Sequence, residues 1–300
     1  MSAVAPVSPK TFTSEFPTWC PSCGDFGVLR GLQNAAAQLG LQPHEMVIVS
    51  GIGCSGKINS YFNCYGLHTL HGRSLPVAQG VKLANPRLTV IASGGDGDGY
   101  GIGAGHFMHA VRRNIDVTYI VMDNQVYGLT KGQTSPTSPH GFTSLTTPSG
   151  SPEYPTKPLR VALANGATWL AQGFSGDIKQ LTTLILKAIR HKGFSVLNVI
   201  SPCVTYRKFI PDENGQNLPV FEWFRKYLHN LDDDADYLTS DRGQAFNRLI
   251  AHDDLVRGLI YEEVRPAYDS YLPGYTGQPL NDLTQVPDAA ALDALAAEFR

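Results

Sequence analysis

The chain has 300 residues, of which 42% are hydrophobic, and its 24 Lys and Arg nearly balance 26 Asp and Glu. This length allows one large domain or two smaller ones, and the apolar fraction is sufficient for a sizeable core. The balanced charge argues against nucleic-acid binding, and no apolar run approaches the roughly 20 residues of a membrane-spanning helix. Because residues 1–19 contain no apolar signal-peptide core, we expect a cytoplasmic protein.

The amino-terminal residues are predicted to form an extended arm over 1–18, because prolines interrupt any periodicity. Cys20 and Cys23 follow as a Cys-x-x-Cys pair, and residues 26–39 have a helical pattern. A Trp-Cys-x-x-Cys sequence also occurs in thioredoxin-like redox proteins, where it follows a buried strand. Residues 13–17 lack a strand pattern, which argues against a dithiol switch.

A glycine-containing turn follows the strand predicted at residues 46–49. Residues 51–57 nearly match the phosphate-binding loop G-x-x-x-x-G-K-[ST], but Ile58 replaces the hydroxyl residue that would bind Mg²⁺. A nucleoside triphosphatase is therefore disfavoured. Residues 61–70 are aromatic and fit no regular element. His71, taken by itself, is most simply an ordinary packed or surface histidine.

A glycine-rich turn containing Asp96 and Asp98 follows the next predicted strand, residues 88–92. Seven glycines lie between positions 94 and 105, and glycines let the backbone approach a ligand closely. A helix is predicted over 102–113. The carboxyl ends of strands in open parallel sheets are where ligands bind, so this turn is the first candidate for a binding site.

The strand predicted at residues 117–122 also ends in polar residues, Asp123 and Asn124. If the two strands are neighbours, they lie roughly 5 Å apart, which brings Asp96 and Asn124 together. One carboxylate, one amide oxygen and a backbone carbonyl form a partial shell that suits Mg²⁺, completed by phosphate oxygens and water. The sequence therefore predicts a magnesium–phosphate site at this edge.

The same glycines have two other interpretations. Residues 99–104 fit the dinucleotide fingerprint G-x-G-x-x-A, with Asp123 near the expected acidic position. However, Asp96 and Asp98 would then face a bare pyrophosphate, and like charges repel. A bridging divalent cation removes the conflict, so we favour the metal site over a dinucleotide site and over a purely structural turn.

Further along the chain, residues 125–158 form a predicted loop of a length typical of active-site covers, or alternatively a disordered surface excursion. Strands alternate with helices from residue 26 to 200, which predicts an α/β fold with a doubly wound parallel sheet. Beyond residue 203 the pattern changes, with helices predicted at 245–251 and 255–264. We expect three segments: the arm 1–18, a binding domain 19–210 and a C-terminal extension 211–300.

The five cysteines do not suggest a disulfide scaffold in a chain of this size. Cys20 and Cys23 form a close pair, whereas Cys54 and Cys203 each follow a predicted strand, so all four could meet at one sheet edge. Four thiolates suit zinc or an iron–sulfur cluster, although structural zinc usually uses two close pairs. Spacing alone leaves open a cluster, a zinc site and unligated buried cysteines.

Five motifs occur in order between residues 19 and 203: Cys-x-x-Cys-Gly-Asp, Gly-Ile-Gly-Cys-Ser, His-Gly-Arg, Gly-Gly-Asp-Gly-Asp and Tyr-Gly-Leu-Thr-Lys-Gly-Gln. Together they resemble the β subunits of 2-oxoacid:ferredoxin oxidoreductases. Gly95-Asp96-Gly97 followed by Asp123-Asn124 also resembles the thiamine diphosphate motif. That motif ends in two asparagines in many members, so Asp123 is a mild departure.

The resemblance implies three cofactors: thiamine diphosphate, Mg²⁺ and one 4Fe–4S cluster. It implies that Asp96, Asn124 and the carbonyl of Val126 bind Mg²⁺. Residues implied to line the thiamine diphosphate are Ile52, Gly53, Cys54, Ser55, His71, Gly97, Asp98, Gly128 and Leu129. The implied cluster ligands are Cys20, Cys23, Cys54 and Cys203, which leaves Cys64 over.

The implied reaction is the oxidative decarboxylation of a 2-oxoacid with coenzyme A as co-substrate and ferredoxin as electron acceptor, its physiological direction left open. An α subunit would supply the glutamate that activates the aminopyrimidine ring, so a dimer of αβ heterodimers is expected. Lys57 is the candidate for binding the substrate carboxylate, or else a surface lysine. We favour 2-oxoglutarate over pyruvate or broad specificity, and an enzyme over a non-catalytic iron–sulfur protein.

Overall fold

The computed structural model describes residues 7–272, 277–279, 282 and 289–298, and its centre is an eight-stranded sheet. The strands of this sheet are β1 Met46–Ser50, β2 Tyr65–His68, β3 Thr89–Gly95, β4 Thr118–Asp123, β5 Trp169–Phe174, β6 Ser195–Ile200, β9 His229–Asn230 and β10 Val256–Glu262; a separate hairpin pairs β7 Phe209–Pro211 with β8 Asn217–Pro219. The order is β2-β1-β3-β4-β6-β5-β10-β9. Neighbours are parallel except β5 and β10.

Helices cover both faces of the sheet, which confirms the predicted doubly wound α/β fold. They are α1 Asp25–Gln38, α2 Ile58–Tyr61, α3 Ser74–Ala84, α4 Ala104–Arg113, α5 Pro158–Ala164, α6 Ile178–Arg190, α7 Val220–Tyr227, α8 Arg242–Ala251 and α9 Ala289–Ala297. One core joins α3, α4, α5 and α8 to strand residues such as Val47 and Val121. The other joins α1 and α6 to Ile48 and Ile120. Strands buried on both faces explain the continuous apolar runs.

The C-terminal segment differs from the prediction in one element. Residues 255–264 were expected to form a helix, but β10 occupies this stretch and pairs with β5 and β9. Val256 and Ile260 are β-branched and fully buried, and such residues fit a pleated surface. Gly258 has a φ of +118°, which is incompatible with a helix. The extension thus contributes two strands to the central sheet.

The amino-terminal arm is also more structured than expected. Residues Pro9–Phe12 form a 3₁₀ turn rather than extended chain, because Phe12 is fully buried and stacks on Phe62 with ring centroids 5.0 Å apart. Residues 1–6 of the arm lie outside the described residues, as do 273–276, 280–281, 283–288 and 299–300 of the extension. The boundaries of the three segments stay predictions. Among the described residues, no helix is long and apolar enough to span a membrane.

The carboxyl ends of four strands, β1, β3, β4 and β6, lie at the same edge of the sheet. Strand register places Ser50 opposite Ser93 and Asp123 opposite Ile200, so the segments that follow β1, β3, β4 and β6 meet there. This is the edge at which open parallel sheets bind ligands. Tyr65, by contrast, pairs with Val47 near the start of β1. Cys64, which precedes Tyr65, therefore lies toward the opposite edge.

Candidate functional site

A pocket of ≈ 180 Å³ lies at the carboxyl edge of the sheet. Its walls are formed by the segments that follow β1, β2, β3 and β4. Its lining residues are Ile52, Gly53, Cys54, Ser55, His71, Gly95, Asp96, Gly97, Asp98, Asn124, Val126, Tyr127, Gly128, Leu129 and Thr130. The structure therefore brings together every residue predicted to line the cofactor and all three predicted Mg²⁺ ligands.

Asp98, which follows β3, joins the segments after β1 and β2 to its own. Its Oδ1 accepts hydrogen bonds from the Ile52 amide at 2.9 Å and from the Gly72 amide and His71 Nδ1, each at 2.8 Å. The carboxylate is 2% exposed, and a Cβ on Gly51 would lie 2.0 Å from its Oδ2. Asp98 thus orients His71 and fixes the turn after β1, and Gly51 has no room for a side chain.

Asp96 is the buried carboxylate at the start of the turn Gly97–Ile102, a π-helical turn. Its Oδ2 accepts hydrogen bonds from the hydroxyls of Ser135 and Thr137, the latter at 2.8 Å. Thr137 Oγ1 is also 2.8 Å from Asp123 Oδ1. Burial raises the pKa of Asp96, and burial together with the nearby Asp96 charge raises the pKa of Asp123 to about 7. A divalent cation would compensate this concentration of buried acid, so the donor set fits Mg²⁺.

Asn124 and Val126 complete the predicted metal ligands. Asn124 Oδ1 accepts a hydrogen bond from the Val126 amide at 3.0 Å, and Gln125 between them has a φ of +60°. This tight turn holds the amide side chain in place. Because an amide oxygen has two lone pairs, Asn124 Oδ1 can accept this hydrogen bond and still bind a cation.

Two glycines let the backbone form the pocket wall. A Cβ on Gly97 would lie 2.1 Å from the Tyr127 ring, which packs directly against the glycine. A Cβ on Gly128 would lie 3.7 Å from Cys54 Sγ and 3.8 Å from Cys203 Sγ. Gly128 therefore connects the pocket to two of the cysteines, and a bulky side chain there would separate them.

The Cys-x-x-Cys segment is fastened beside these two cysteines. Trp19 Nε1 donates to the Cys54 carbonyl at 2.8 Å, and the Gly24 amide donates to the Pro202 carbonyl at 3.3 Å. Burial, together with the nearby Asp25 and Cys203 charges, raises the pKa of Cys54 to about 11, and burial likewise raises that of Cys23. Thiolates at these positions need nearby cations, as an iron–sulfur cluster would provide. Within the part of the chain that the structure describes, no three His, Cys, Asp or Glu side chains are arranged to hold a single metal ion.

Besides Cys20, Cys23 and Cys203, two other residues singled out in the sequence lie away from the pocket lining. Lys57 follows Cys54 by three residues, and its ammonium makes one long hydrogen bond, 3.4 Å, to Thr18 Oγ1. The Cys64 thiol donates a hydrogen bond to the Tyr65 carbonyl, and the side chain packs against the core of α1 and α6. The position of Cys64 toward the other edge is consistent with its being the cysteine left over.

Four members of the site were not predicted from the sequence. Ser135 and Thr137 reach Asp96 from the long loop after β4, and Tyr127 and Thr130 line the pocket. The loop is not a disordered excursion, because Ser138 Oγ donates to the Gln125 carbonyl at 2.7 Å. The sequence feature that could have indicated Ser135 and Thr137 is the run of Ser, Thr and Pro at 134–139, in a loop expected to cover the site.

The sequence matches two known families along most of its length. Residues 46–199 match the C-terminal TPP binding domain of thiamine pyrophosphate enzymes, and residues 203–277 match the C-terminal part of the pyruvate ferredoxin oxidoreductase β subunit. The 2-oxoacid:ferredoxin oxidoreductase subunit β of Saccharolobus solfataricus is 46% identical over 225 residues, which are 74% of this chain and 71% of that protein. The chain belongs to this family of β subunits.

Other relatives of this β subunit extend the match to nearly the whole chain. Subunit β of 2-oxoacid:ferredoxin oxidoreductase 2 from Aeropyrum pernix is 36% identical and covers 89% of this chain and 88% of its own. A solved structure of the 2-oxoglutarate:ferredoxin oxidoreductase from Magnetococcus marinus, with 2-oxoglutarate, coenzyme A and succinyl-CoA bound, matches with a TM-score of 0.82 and 38% identity over 98% of both chains. The chain is thus one subunit of an oxidoreductase, and the designation β implies a partner subunit.

Proposed function

We propose that this β subunit binds the diphosphate half of thiamine diphosphate and one 4Fe–4S cluster in a 2-oxoglutarate:ferredoxin oxidoreductase. One observation carries the proposal: a single pocket contains Asp96, Asn124 and Val126 and, through Gly128, borders Cys54 and Cys203. A magnesium–diphosphate site and a thiolate site therefore share one wall. Together they fit a cofactor that decarboxylates and a carrier that removes single electrons.

In the proposed site, this chain holds and orients the cofactor. Asp96, Asn124 and the Val126 carbonyl would hold Mg²⁺, and the backbone at Gly97 and Gly128 would leave room for the diphosphate. When bound, thiamine diphosphate supplies the nucleophile and the electron sink that decarboxylation of a 2-oxoacid requires. Asp98 positions His71 beside the cofactor through the 2.8 Å hydrogen bond to Nδ1.

Cys20, Cys23, Cys54 and Cys203 are the proposed cluster ligands. The proposal is supported by the hydrogen bonds that join Trp19 to Cys54 and Gly24 to Pro202, because these contacts hold three separate chain segments together. Four cysteine thiolates are the usual ligands of a 4Fe–4S cluster. A cluster held by these thiolates would border the pocket at Gly128 and would supply the one-electron chemistry that ferredoxin requires.

Lys57 is the proposed contact for the distal carboxylate of 2-oxoglutarate. Its hydrogen bond to Thr18 is long, 3.4 Å, and costs little to exchange for a charge-assisted bond to a carboxylate. Relatives from Archaeoglobus fulgidus and Mycobacterium tuberculosis are named 2-oxoglutarate synthase and 2-oxoglutarate oxidoreductase subunits, each 41% identical, which supports this substrate. Pyruvate is the second candidate, since residues 203–277 match a pyruvate ferredoxin oxidoreductase family.

The proposal also includes a cytoplasmic dimer of αβ heterodimers, with the α subunit providing the glutamate for the aminopyrimidine ring. Its test is an assay of the anaerobically purified αβ complex, which follows reduction of ferredoxin or a viologen dye with coenzyme A. We expect the highest kcat/KM with 2-oxoglutarate, and we expect Lys57→Met to raise KM for 2-oxoglutarate about tenfold or more by removing one charge-assisted bond. Activity with pyruvate and none with 2-oxoglutarate would contradict the proposed substrate. No activity with any 2-oxoacid would contradict the proposed function.

A further inference from the structure

Asp25 is a buried carboxylate that lies between two of the segments holding the proposed cluster ligands. It begins α1, two residues after Cys23, and is 1% exposed. Its Oδ1 accepts a hydrogen bond from the Ser201 hydroxyl at 2.6 Å, and Ser201 precedes Cys203 by two residues. A Cβ on Gly24 would lie 2.6 Å from Ser201 Oγ, so the two segments are in close contact. Asp25 is therefore buried next to the cysteines.

The charge of Asp25 acts on the cysteine sulfurs themselves. Burial raises the pKa of the Cys23 thiol and raises that of Cys54 to about 11, and in both the Asp25 carboxylate is the next largest cause, ahead of the other cysteines. These two sulfurs belong to different chain segments, so the carboxylate faces the place where the segments meet. A cluster bound to the same sulfurs would lie in the field of Asp25.

Two contacts favour the ionised form of this side chain. The Ser201 hydroxyl lies at 2.6 Å, a separation typical of an O–H that donates to a carboxylate. Asp25 also occupies the first turn of the 14-residue helix α1, where the helix dipole stabilises a negative charge. Burial raises the pKa of Asp25 to about 6, which leaves the group ionised at alkaline pH.

Hydrogen bonding does not explain why this residue is charged. Asp25 Oδ2 is fully buried and accepts no hydrogen bond from the residues that the structure describes. An asparagine would keep one oxygen for the Ser201 hydroxyl, because its amide oxygen is also an acceptor. Burying a carboxylate costs more than burying an amide. The negative charge therefore costs stability without adding a hydrogen bond that the amide lacks.

A negative charge next to an iron–sulfur cluster affects its redox chemistry. Reduction adds one electron and makes the cluster more negative by one charge, so a nearby anion disfavours the reduced state. We propose that the Asp25 carboxylate lowers the reduction potential of the cluster, which makes the reduced cluster a stronger electron donor to ferredoxin. This inference rests on the proposed function, because it requires the cluster. Asp25 acts through the cluster and does not contact substrate.

The test is a redox titration of the anaerobic αβ complex at alkaline pH, followed by electron paramagnetic resonance of the reduced cluster. Asp25→Asn keeps an acceptor for Ser201 and removes the charge. We expect its midpoint potential to rise by about 59 mV, which for one electron is a tenfold higher ratio of reduced to oxidised cluster. Asp241→Asn removes the same charge from the exposed start of α8, on the opposite face of the sheet from α1. It should leave the potential unchanged.

A second pair of variants keeps the test decisive if Asp25→Asn fails to bind iron. Asp25→Glu and Asp25→Gln have side chains of equal length and differ in charge, so the potential should stay near the wild-type value in the first and rise in the second. A wild-type potential in Asp25→Asn, or equal potentials in Asp25→Glu and Asp25→Gln, would overturn the proposal. Loss of iron from both would also overturn it, by showing that this position builds the site. A wild-type complex without the cluster signal would contradict the proposed function, and this inference with it.

Discussion

Asp96 illustrates how a single predicted ligand depends on residues far away in the sequence. Its carboxylate is held by hydroxyls of Ser135 and Thr137, and Thr137 also contacts Asp123. A hydroxyl has one proton, so Thr137 cannot donate to both carboxylates at once. The three side chains therefore form one coupled unit, in which Thr137 holds Asp96 at the pocket.

Thr137→Val keeps the size of the side chain and removes the hydroxyl that contacts both carboxylates. We expect the affinity of the αβ complex for thiamine diphosphate with Mg²⁺ to fall about tenfold or more, as is typical for losing a hydrogen bond to a charged group. Isothermal titration of the cofactor measures this. Thr134→Val is the matched control, because Thr134 in the same loop bonds Thr147 rather than Asp96. Equal affinities of the two variants would show that the loop does not position Asp96.

The cysteines give a second prediction at the scale of single residues. Cys54→Ser should eliminate the cluster, whereas Cys64→Ser should retain it, because Cys64 lies toward the opposite edge of the sheet. Iron analysis and visible absorption of anaerobic complex should give about four irons per αβ unit for wild type and Cys64→Ser. Stoichiometric zinc without iron would contradict the cluster, and full iron in Cys54→Ser would remove Cys54 from the ligand set.

At the scale of elements, the turn after β1 is fixed by close packing against Asp98. Gly51→Ala would place a Cβ 2.0 Å from Asp98 Oδ2, which must displace the carboxylate from the Ile52 and Gly72 amides. We expect a loss of about 1–3 kcal/mol in unfolding free energy from overpacking, together with weaker cofactor binding. Urea unfolding and cofactor titration measure the two effects.

Gly80→Ala in α3 is the control for this substitution. Gly80 is exposed, and a Cβ there would meet no atom within 4 Å. Alanine at an open helical position is expected to stabilise by about 0.4–1 kcal/mol. If Gly51→Ala were as stable and bound cofactor as well as Gly80→Ala, the packing of this turn on Asp98 would have no role in the site.

The central strands could be predicted from the local sequence pattern, and the wrong prediction of a helix at residues 255–264 has a physical reason. Apolar runs bounded by glycine and polar turns correctly predicted β1, β3, β4 and β6, and strand adjacency then brought Asp96 and Asn124 to one pocket. Residues 255–264 are a mixed apolar run, and periodicity cannot distinguish a buried strand from a helix in such a run. The contacts of Ser135 and Thr137 with Asp96 span about 40 positions of sequence and depend on how a loop folds back, for which spacing gives no signal.

For the whole molecule, the exposed apolar residues at the mouth of the pocket lead us to predict that the partner subunit covers it. Ile52 and Leu129 line the pocket, yet their side chains are 37% and 50% exposed. Apolar residues at the rim of a cofactor site are normally covered in the assembled enzyme, since obligate interfaces are large and apolar. The missing contacts to the aminopyrimidine half would come from the same covering subunit.

We therefore predict that this β subunit alone is inactive and binds thiamine diphosphate weakly. The chain is expressed by itself and together with its α subunit, and both preparations are assayed for coenzyme A-dependent dye reduction with 2-oxoglutarate. Cofactor affinity is measured in parallel, because half of the cofactor surface lies against the partner in the proposed assembly. We expect activity in the complex alone, and an isolated chain that aggregates or elutes as a cofactor-free species. Full activity from the isolated chain would contradict a site formed by two subunits. Tight cofactor binding without activity would mean that the partner is needed only to activate the aminopyrimidine ring.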